Sequence, residues 1–598
     1  MNERDKIAAA RIGALRGALG AARLDGFIVP KSDAFQNEYV PAHDDRLAWL
    51  TGFTGSAGIA VILKDKAALI VDSRYTLQAK DQVSSALYAI ELVPKVTAAS
   101  YLAANAAKGS VIGYDPALHT VAGFKQIREE ALKAGVRLSP RSRNPIDRVW
   151  KGRPAEKHVP IYLHDDRLSG ESAASKLDRV QKVIAEKTAA GLLVCAPDAV
   201  AWLFNIRGGD VLHTPIPLVR AFVPLAGKPM LFVSNGHIND ENRAALAAVA
   251  SIRELASIER SLRELIEPGT KVLTDPAQTT LKLASALRRS KAKIAEGPDP
   301  ITLFKAKKNA AELEGARKAH LRDGAALCRF LAWLDAEAPG GKIDELIASD
   351  KLEDFRRQTG ELQDLSFDTI SGAGSNGAIV HYRATPETNK PLRPGTLYLS
   401  DSGAQYRDGT TDVTRTIAIG EPSVEMRRHF TLVLKGHIAI SAARFPAGTR
   451  GVDIDGFARR ALWSAGLDYG HGTGHGIGSF LSVHEGPQSI SRNGMTVFEP
   501  GMILSNEPGY YREGHYGIRL ENLIIVTEPE EVEGGELPLM GFETLTLAPF
   551  DRRLILPELL GAEERAWLNA YHATVWREIS PELKGGERKW LRAATAPL

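Results

Sequence analysis

Cysteine is nearly absent. The 598 residues hold two, Cys195 and Cys328, too few for a disulfide framework or a thiolate zinc site, and a number that suits a reducing compartment. Long apolar runs are missing too. No stretch reaches the roughly 18 residues a membrane-spanning helix requires. Charge of one sign is scarce: 75 Lys and Arg face 72 Asp and Glu, a formal net charge of +3, which gives no reason to expect nucleic acid or an anionic membrane as partner. The opening stretch MNERDKIAAARIGALRGALGAARLDGFIV lacks the apolar core and small-residue cleavage pattern of a signal peptide. It reads as a charged amphipathic helix followed by a strand, and the expected location is the cytoplasm. There is no GxxxxGK phosphate loop, and no motif supports a serine or cysteine nucleophile.

What is present is an ordinary globular composition, 44% hydrophobic and 25% charged, in a chain long enough for several domains. Two Pro- and charge-rich stretches, residues 139–160 and 296–301, interrupt the patterning and read as linkers. They divide the chain into parts 1–150, 151–305 and 306–598. The first two parts echo each other. GFIVP (Gly26 to Pro30) and AWLTGFTG (Ala48 to Gly55) in one correspond to GLLVC (Gly191 to Cys195) and AWLFNIRG (Ala201 to Gly208) in the other, which predicts two copies of one α/β fold. The third part opens at Asn309 with Glu312 three positions on, a capping-box start. Leu313, Ala316, Leu327, Leu331 and Leu334 follow at helical spacing. Glycine-punctuated strands come after Ser366. From about Asp551 a helical pattern returns, with Trp567, Leu568, Tyr571, Val575 and Trp576 on one face.

Four strand-like segments in this third part carry an acid where a buried strand tolerates none without compensation: GTLYLSDSGAQY with Asp401, DGTTDVTRTIAIG with Asp412, GMILSNEPGYY with Glu507 and YGIRLENLIIV with Glu521. A buried carboxylate must be paired or bound to a metal. Arg415 is an alternative partner for Asp412, and Arg519 for Glu521. The glycine-rich loop YGHGTGHGIGSF adds His471 and His475. Four carboxylates with one imidazole make a hard, oxygen-rich donor set that favours manganese or magnesium over thiolate-type zinc. Five ligands suit two cations sharing carboxylates better than one, and such a pair lowers the pKa of water and stabilises a tetrahedral intermediate. Asp408-Gly409 signals a hairpin turn between the two Asp strands, without placing their carboxylates side by side. Gly372, Gly374 and Gly377 match the dinucleotide fingerprint GxGxxG, but AIVHYR follows as a strand-like run where that motif requires a helix.

The ordered motifs HYR, LSDSGAQY, TTDVTRT, HGTGHGIG, VHEGP, NEPGYY and GIRLENL resemble the pita-bread metallopeptidases, and within them the three-domain cytosolic aminopeptidase P branch. The resemblance spans nearly the whole chain, including FTGSAG (Phe53 to Gly58) and DSRY (Asp72 to Tyr75). It implies two creatinase-type N-terminal α/β domains ahead of an α+β pita-bread catalytic domain with a helical C-terminal extension. It implies an exopeptidase that removes the first residue of a peptide with proline second. Asp401, Asp412, His475, Glu507 and Glu521 are the implied metal ligands, with Asp412 and Glu521 bridging, and the implied metal is manganese. His381, His471 and His484 match active-site histidines that orient the peptide and stabilise the oxyanion. Tyr511 and Arg519 are implied to wall the proline site. Glu507 is the expected proton shuttle. A homodimer joined through the catalytic domains is also implied. The roles of His471 and Arg74 stay open: His471 between the substrate and its own loop, Arg74 between structure and a neighbouring subunit's site.

Overall fold

The computed structural model describes residues 3–598, so Met1 and Asn2 of the predicted opening helix lie outside the described residues. The chain forms two compact units, Met1–His164 with Glu171–Ile301, and Asp165–Gly170 with Thr302–Leu598.

The first unit holds two six-stranded sheets of one topology. Strands β1 (Gly26–Pro30), β2 (Ile59–Leu63), β3 (Ala67–Val71), β4 (Ala89–Leu92), β5 (Val111–Tyr114) and β6 (Arg137–Pro140) stand in the order β4-β3-β2-β1-β5-β6. In the second sheet the equivalent order runs Ser251–Glu254, Met230–Val233, Arg220–Pro224, Gly191–Val194, Lys271–Thr274, Lys293–Glu296. In both, the central strand pairs antiparallel with one neighbour and parallel with the other. The internal repeat read from GFIVP and GLLVC is thus a repeat of topology. Each central strand begins with glycine for the same reason. A Cβ on Gly26 would meet the Ile62 carbonyl oxygen at 2.5 Å, and one on Gly191 would meet that of Val223 at 2.8 Å. The two Ala-Trp-Leu segments fall in corresponding helices, Arg46–Thr51 and Pro197–Leu203. The first predicted linker is more ordered than its composition suggests. Asn144 caps a short helix, Pro145–Val149, and Ile146 is fully buried in the core of the first sheet.

His119 lies in this unit with its ring against Tyr114 and Phe124, and burial lowers its pKa to about 3. An unfolded histidine binds a proton near 6.5 and this one does not, so stability present above pH 6.5 is lost as the pH falls toward 3. His119→Phe, which keeps a flat ring between the same neighbours, is expected to remove about 2 kcal/mol of the stability difference between pH 7.5 and pH 5. Urea unfolding of the parent and the variant at the two pH values measures it, and equal acid sensitivity in both would refute the assignment.

In the second unit the capping box at Asn309 and Glu312 forms as expected and starts the 28-residue helix Ala310–Glu337. Ala316, Leu327, Leu331 and Leu334 are buried along it. The helices Glu345–Arg357, Val424–Ser441, Gly451–Trp463 and Ala562–Ile579 accompany a three-stranded sheet (Ile370–Ala373, Thr396–Ser402, Val413–Ile419) and a five-stranded one (Glu485–Ile490, Gly474–Gly476, Ile503–Asn506, Asn522–Val526, Phe542–Thr544). Leu568, Tyr571 and Val575 of the last long helix are buried in the core of this unit, with Trp567 and Trp576 packed against it. That face therefore serves packing within the unit. No helix among the described residues is long and apolar enough to cross a membrane.

Two local expectations are corrected. The hairpin between the Asp strands turns at Arg407–Asp408, since Tyr406 pairs with Gly409. AIVHYR is not a strand. The segment Gly374–Ala378 is a 3-10 turn, and the following residues curl around the buried Glu345 carboxylate, which accepts from the Ala373 and Lys390 N–H groups, the Asn376 amide and the Tyr382 hydroxyl. GxGxxG here follows a strand but opens no α-helix, so the dinucleotide reading has no structural support.

Candidate metal centre

The strands Thr396–Ser402 and Val413–Ile419 pair antiparallel with Asp401 opposite Thr414. Asp412 lies two residues before Thr414, so side-chain alternation brings both carboxylates to one face. The strand Ile503–Asn506 runs into Glu507 and pairs with Asn522–Val526, which starts just after Glu521. The Glu521 backbone N–H donates to the Thr414 carbonyl at 3.1 Å, tying the two sheets together at the site. The loop strand Gly474–Gly476 places His475 beside them, its N–H held by Ser505 Oγ at 2.9 Å.

The side chains form overlapping sets whose candidate donor atoms lie within 4.8 Å of one another: Asp401, Asp412 and Glu521; His475, Glu507 and Glu521; and Asp412, His475 and His484. All five predicted ligands are thus brought together, with His484 at their edge. The His475 and His484 rings meet edge to face at 4.3 Å. His475 Nδ1 donates to the Gly476 carbonyl at 3.1 Å, and its Nε2 faces Asp412 Oδ2 (3.6 Å) and Glu507 Oε1 (3.5 Å).

The carboxylates carry the same signal. Asp401, Asp412 and Glu521 are almost entirely buried. Asp401 Oδ1 and Asp412 Oδ1 have no hydrogen-bond partner. Burial first, then the charges of Glu521, Asp401 and Glu507, drive the Asp412 carboxyl well above its ordinary range. Glu521 is raised in the same way by burial and by Glu507 and Asp401. Burial pushes Glu507 up to about 7, with Arg519 opposing and Asp401 adding to it. Orphaned buried oxygens, mutual repulsion and an inward-facing imidazole make a donor set that fits divalent cations.

The arginines resolve the alternatives left open above. Arg415 does not pair with Asp412. It turns to the carbonyls of Ala548, Pro549 and Glu521 and to Asn522. Arg519 pairs with Asp401 (Nη2 to Oδ2, 2.6 Å) and not with the Glu521 carboxylate, while its Nη1 donates to Tyr511 at 2.6 Å. His471 Nδ1 lies 2.7 Å from the Gly472 carbonyl, leaving Nε2 to accept from the Tyr511 hydroxyl at 2.8 Å. His471 therefore serves its own loop and Tyr511. His381 is half-buried in the turn after Gly374–Ala378, outside the donor sets above. Arg74 forms a two-pronged pair with Asp72.

Two supporting residues were overlooked in the sequence. Thr414 Oγ1 donates to Glu521 Oε2 at 2.7 Å, and Ser505 Oγ donates to Glu507 Oε1 at 3.3 Å. Each stands two positions from an acid of the site, so period-2 alternation alone would have found them.

The profile of metallopeptidase family M24 matches residues 314–528, and that of the C-terminal region of this peptidase matches 538–598. Creatinase/prolidase N-terminal domain profiles match 11–147 and 152–312. A probable Xaa-Pro aminopeptidase P of Ajellomyces dermatitidis is 39% identical over 98% of this chain and 99% of its own. Aminopeptidase P2 of Arabidopsis thaliana is 40% identical over 96% of this chain and 86% of its own. Among solved structures, an X-prolyl aminopeptidase from Caenorhabditis elegans, described as a cytosolic enzyme with a di-nuclear active site, superposes with a TM-score of 0.95 at 32% identity, covering 99% of this chain and 100% of that one.

Proposed function

The chain belongs to metallopeptidase family M24, and from that premise we propose how its site works. The protein is an Xaa-Pro aminopeptidase, a metal-dependent hydrolase that releases the N-terminal residue of peptides with proline in second position. The observation that carries the reading of the site is the overlapping groups of carboxylates and imidazole, each with donor atoms within 4.8 Å of one another, and two orphaned oxygens. Asp401, Asp412, His475, Glu507 and Glu521 would hold two divalent cations, with Asp412 and Glu521 shared between them. When bound, the cations supply Lewis acidity and lower the pKa of water.

The chain's own groups do the rest. Glu507 takes a proton from the attacking water, whose oxygen bonds to the carbonyl carbon of the first residue. The C–N bond to proline then breaks, and the proline nitrogen receives that proton. His484 and His381 donate hydrogen bonds to the carbonyl oxygen as negative charge develops on it. Tyr511 walls the proline subsite. Arg519, buried behind it, acts through Tyr511 and Asp401, and His471 holds the Tyr511 hydroxyl. Proline suits the site because its imide nitrogen brings no N–H that must be satisfied. Manganese as the resident metal, the homodimer and the cytoplasmic location belong to the same proposal, as does the division into parts 1–150, 151–305 and 306–598. The hard donor set supports manganese.

Hydrolysis of Arg-Pro-Pro-type peptides tests the function. Chelation is expected to remove activity and manganese to restore it. Xaa-Pro-Xaa peptides should be cleaved in preference to Xaa-Pro dipeptides. Full activity after exhaustive chelation would overturn the metal reading, and cleavage confined to dipeptides would make the protein a prolidase.

A further inference from the structure

A buried ion pair includes Glu485, the residue after His484, and takes no part in the chemistry above. Lys305, in the last turn of the helix Pro300–Ala306, reaches Glu485 at 2.6 Å, with side-chain exposures of 3% and 1%. Two charges taken out of water cost more than an apolar pair of the same volume, so such a pair contributes little net stability; its attested use is to select one arrangement of the chain. Here that arrangement matters. Glu485 follows His484 in the chain and begins the strand Glu485–Ile490. That strand pairs with Gly474–Gly476 as Gly474 to Ile490 and His475 to Ser489, then jumps so that Gly476 faces Glu485. The bulge falls between His475 and Gly476, so the register of the Gly474 and His475 pairs does not carry through to Glu485, which meets the ladder only at Gly476.

Other contacts anchor the lysine. The Lys308 ammonium donates to the Lys305 carbonyl at 2.7 Å, and the Lys308 N–H donates to Gly501 at 3.0 Å. Lys307 bridges to Met502, one residue before the strand that leads to Glu507. The glutamate end is tightly packed: a Cβ on Gly478 would lie 2.5 Å from Glu485 Oε1. The ion pair thus links the segment anchored beside the Glu507 strand to the residue after His484.

We propose that Lys305 and Glu485 are positioning residues that set where the His484 imidazole stands relative to His475. The proposal rests on the reading of the site given above. It concerns kcat, because a displaced hydrogen-bond donor to the developing oxyanion costs transition-state stabilisation and not substrate binding.

The test uses the full-length, metal-loaded enzyme and two variants. Glu485→Asp keeps the charge and shortens the link by one methylene. Lys305→Met with Glu485→Met removes both charges, so that neither is left buried alone. Both are expected to lower kcat at least 10-fold with KM within 2-fold, with the bound-metal content of the wild type. If the double variant recovers wild-type kcat, or if Glu485→Asp retains it, the pair is only structural and the proposal is overturned. Loss of metal content in the soluble, folded variants would also overturn it, since the pair would then shape the ligands and not His484. Wild-type enzyme that fails on Xaa-Pro peptides, or His484→Ala with unchanged kcat, would instead refute the reading of the site.

Discussion

Asp412→Asn is expected to lower kcat by at least roughly 10^3-fold and, in chelator-treated protein, to raise the melting temperature. Both effects come from one geometry. Asp412 is buried among Asp401, Glu507 and Glu521, and their charges work against its ionised form. Its Oδ1 has no hydrogen-bond partner. Without cations the cluster is a source of instability, and a neutral amide of the same shape relieves part of it. Relief of about 1–2 kcal/mol corresponds to a rise of roughly 1.5–3 °C in a unit of this size. With cations the order reverses. Binding stabilises the wild type by about 2.7 kcal/mol at a metal concentration 100 times Kd, and the variant, short of a shared ligand, gains less. Residues one layer behind a metal ligand typically cost 10–100-fold when changed, so a direct ligand should cost more. Glu507→Ala and His475→Ala are expected to abolish turnover in folded protein as well. Calorimetric melting with chelator and with manganese, beside peptide hydrolysis, decides the matter. A variant that melts like the wild type in both conditions, or one that keeps its turnover, would remove Asp412 from the ligand set.

Arg519→Ala carries the second large effect, on stability. The guanidinium is 2% exposed. It holds Asp401 and Tyr511, each at 2.6 Å, and reaches Thr414 Oγ1 at 3.3 Å. Removing one partner of a buried pair leaves the other charge stranded, which costs about 3–5 kcal/mol. Arg519→Lys is expected to recover only part of that, because an ammonium cannot direct separate donors along a planar fork to Asp401 and Tyr511. Urea unfolding of the wild type and both variants under chelating conditions gives the comparison. Parent-like stability in Arg519→Ala would mean that Asp401 finds another partner. Tyr511→Phe takes the shared hydroxyl from the buried Arg519 Nη1 and from His471 Nε2, and should cost about 1–3 kcal/mol while altering the proline preference.

The sequence was legible where chemistry is local. The capping box at Asn309, the apolar face from Leu568 to Val575 and the acids in apolar strands each follow from residue type at a fixed spacing. It was less legible where the partner comes from elsewhere in the chain. AIVHYR alternates like a strand, but it curls because a carboxylate 36 residues upstream of His381, on Glu345, collects the donors around it. The alternative partners Arg415 for Asp412 and Arg519 for Glu521 failed because both arginines are drawn elsewhere, one to backbone carbonyls and the other to Asp401.

By itself the amino-acid order determined which donor types exist, that they lie in or directly beside apolar strands, and that a repeated α/β pattern precedes them. Tertiary structure alone decided which oxygens meet. Strand register, the bulge beside His475 and the arginine that claims Asp401 are relations between segments up to 118 positions apart, and no local pattern encodes a distance across that separation.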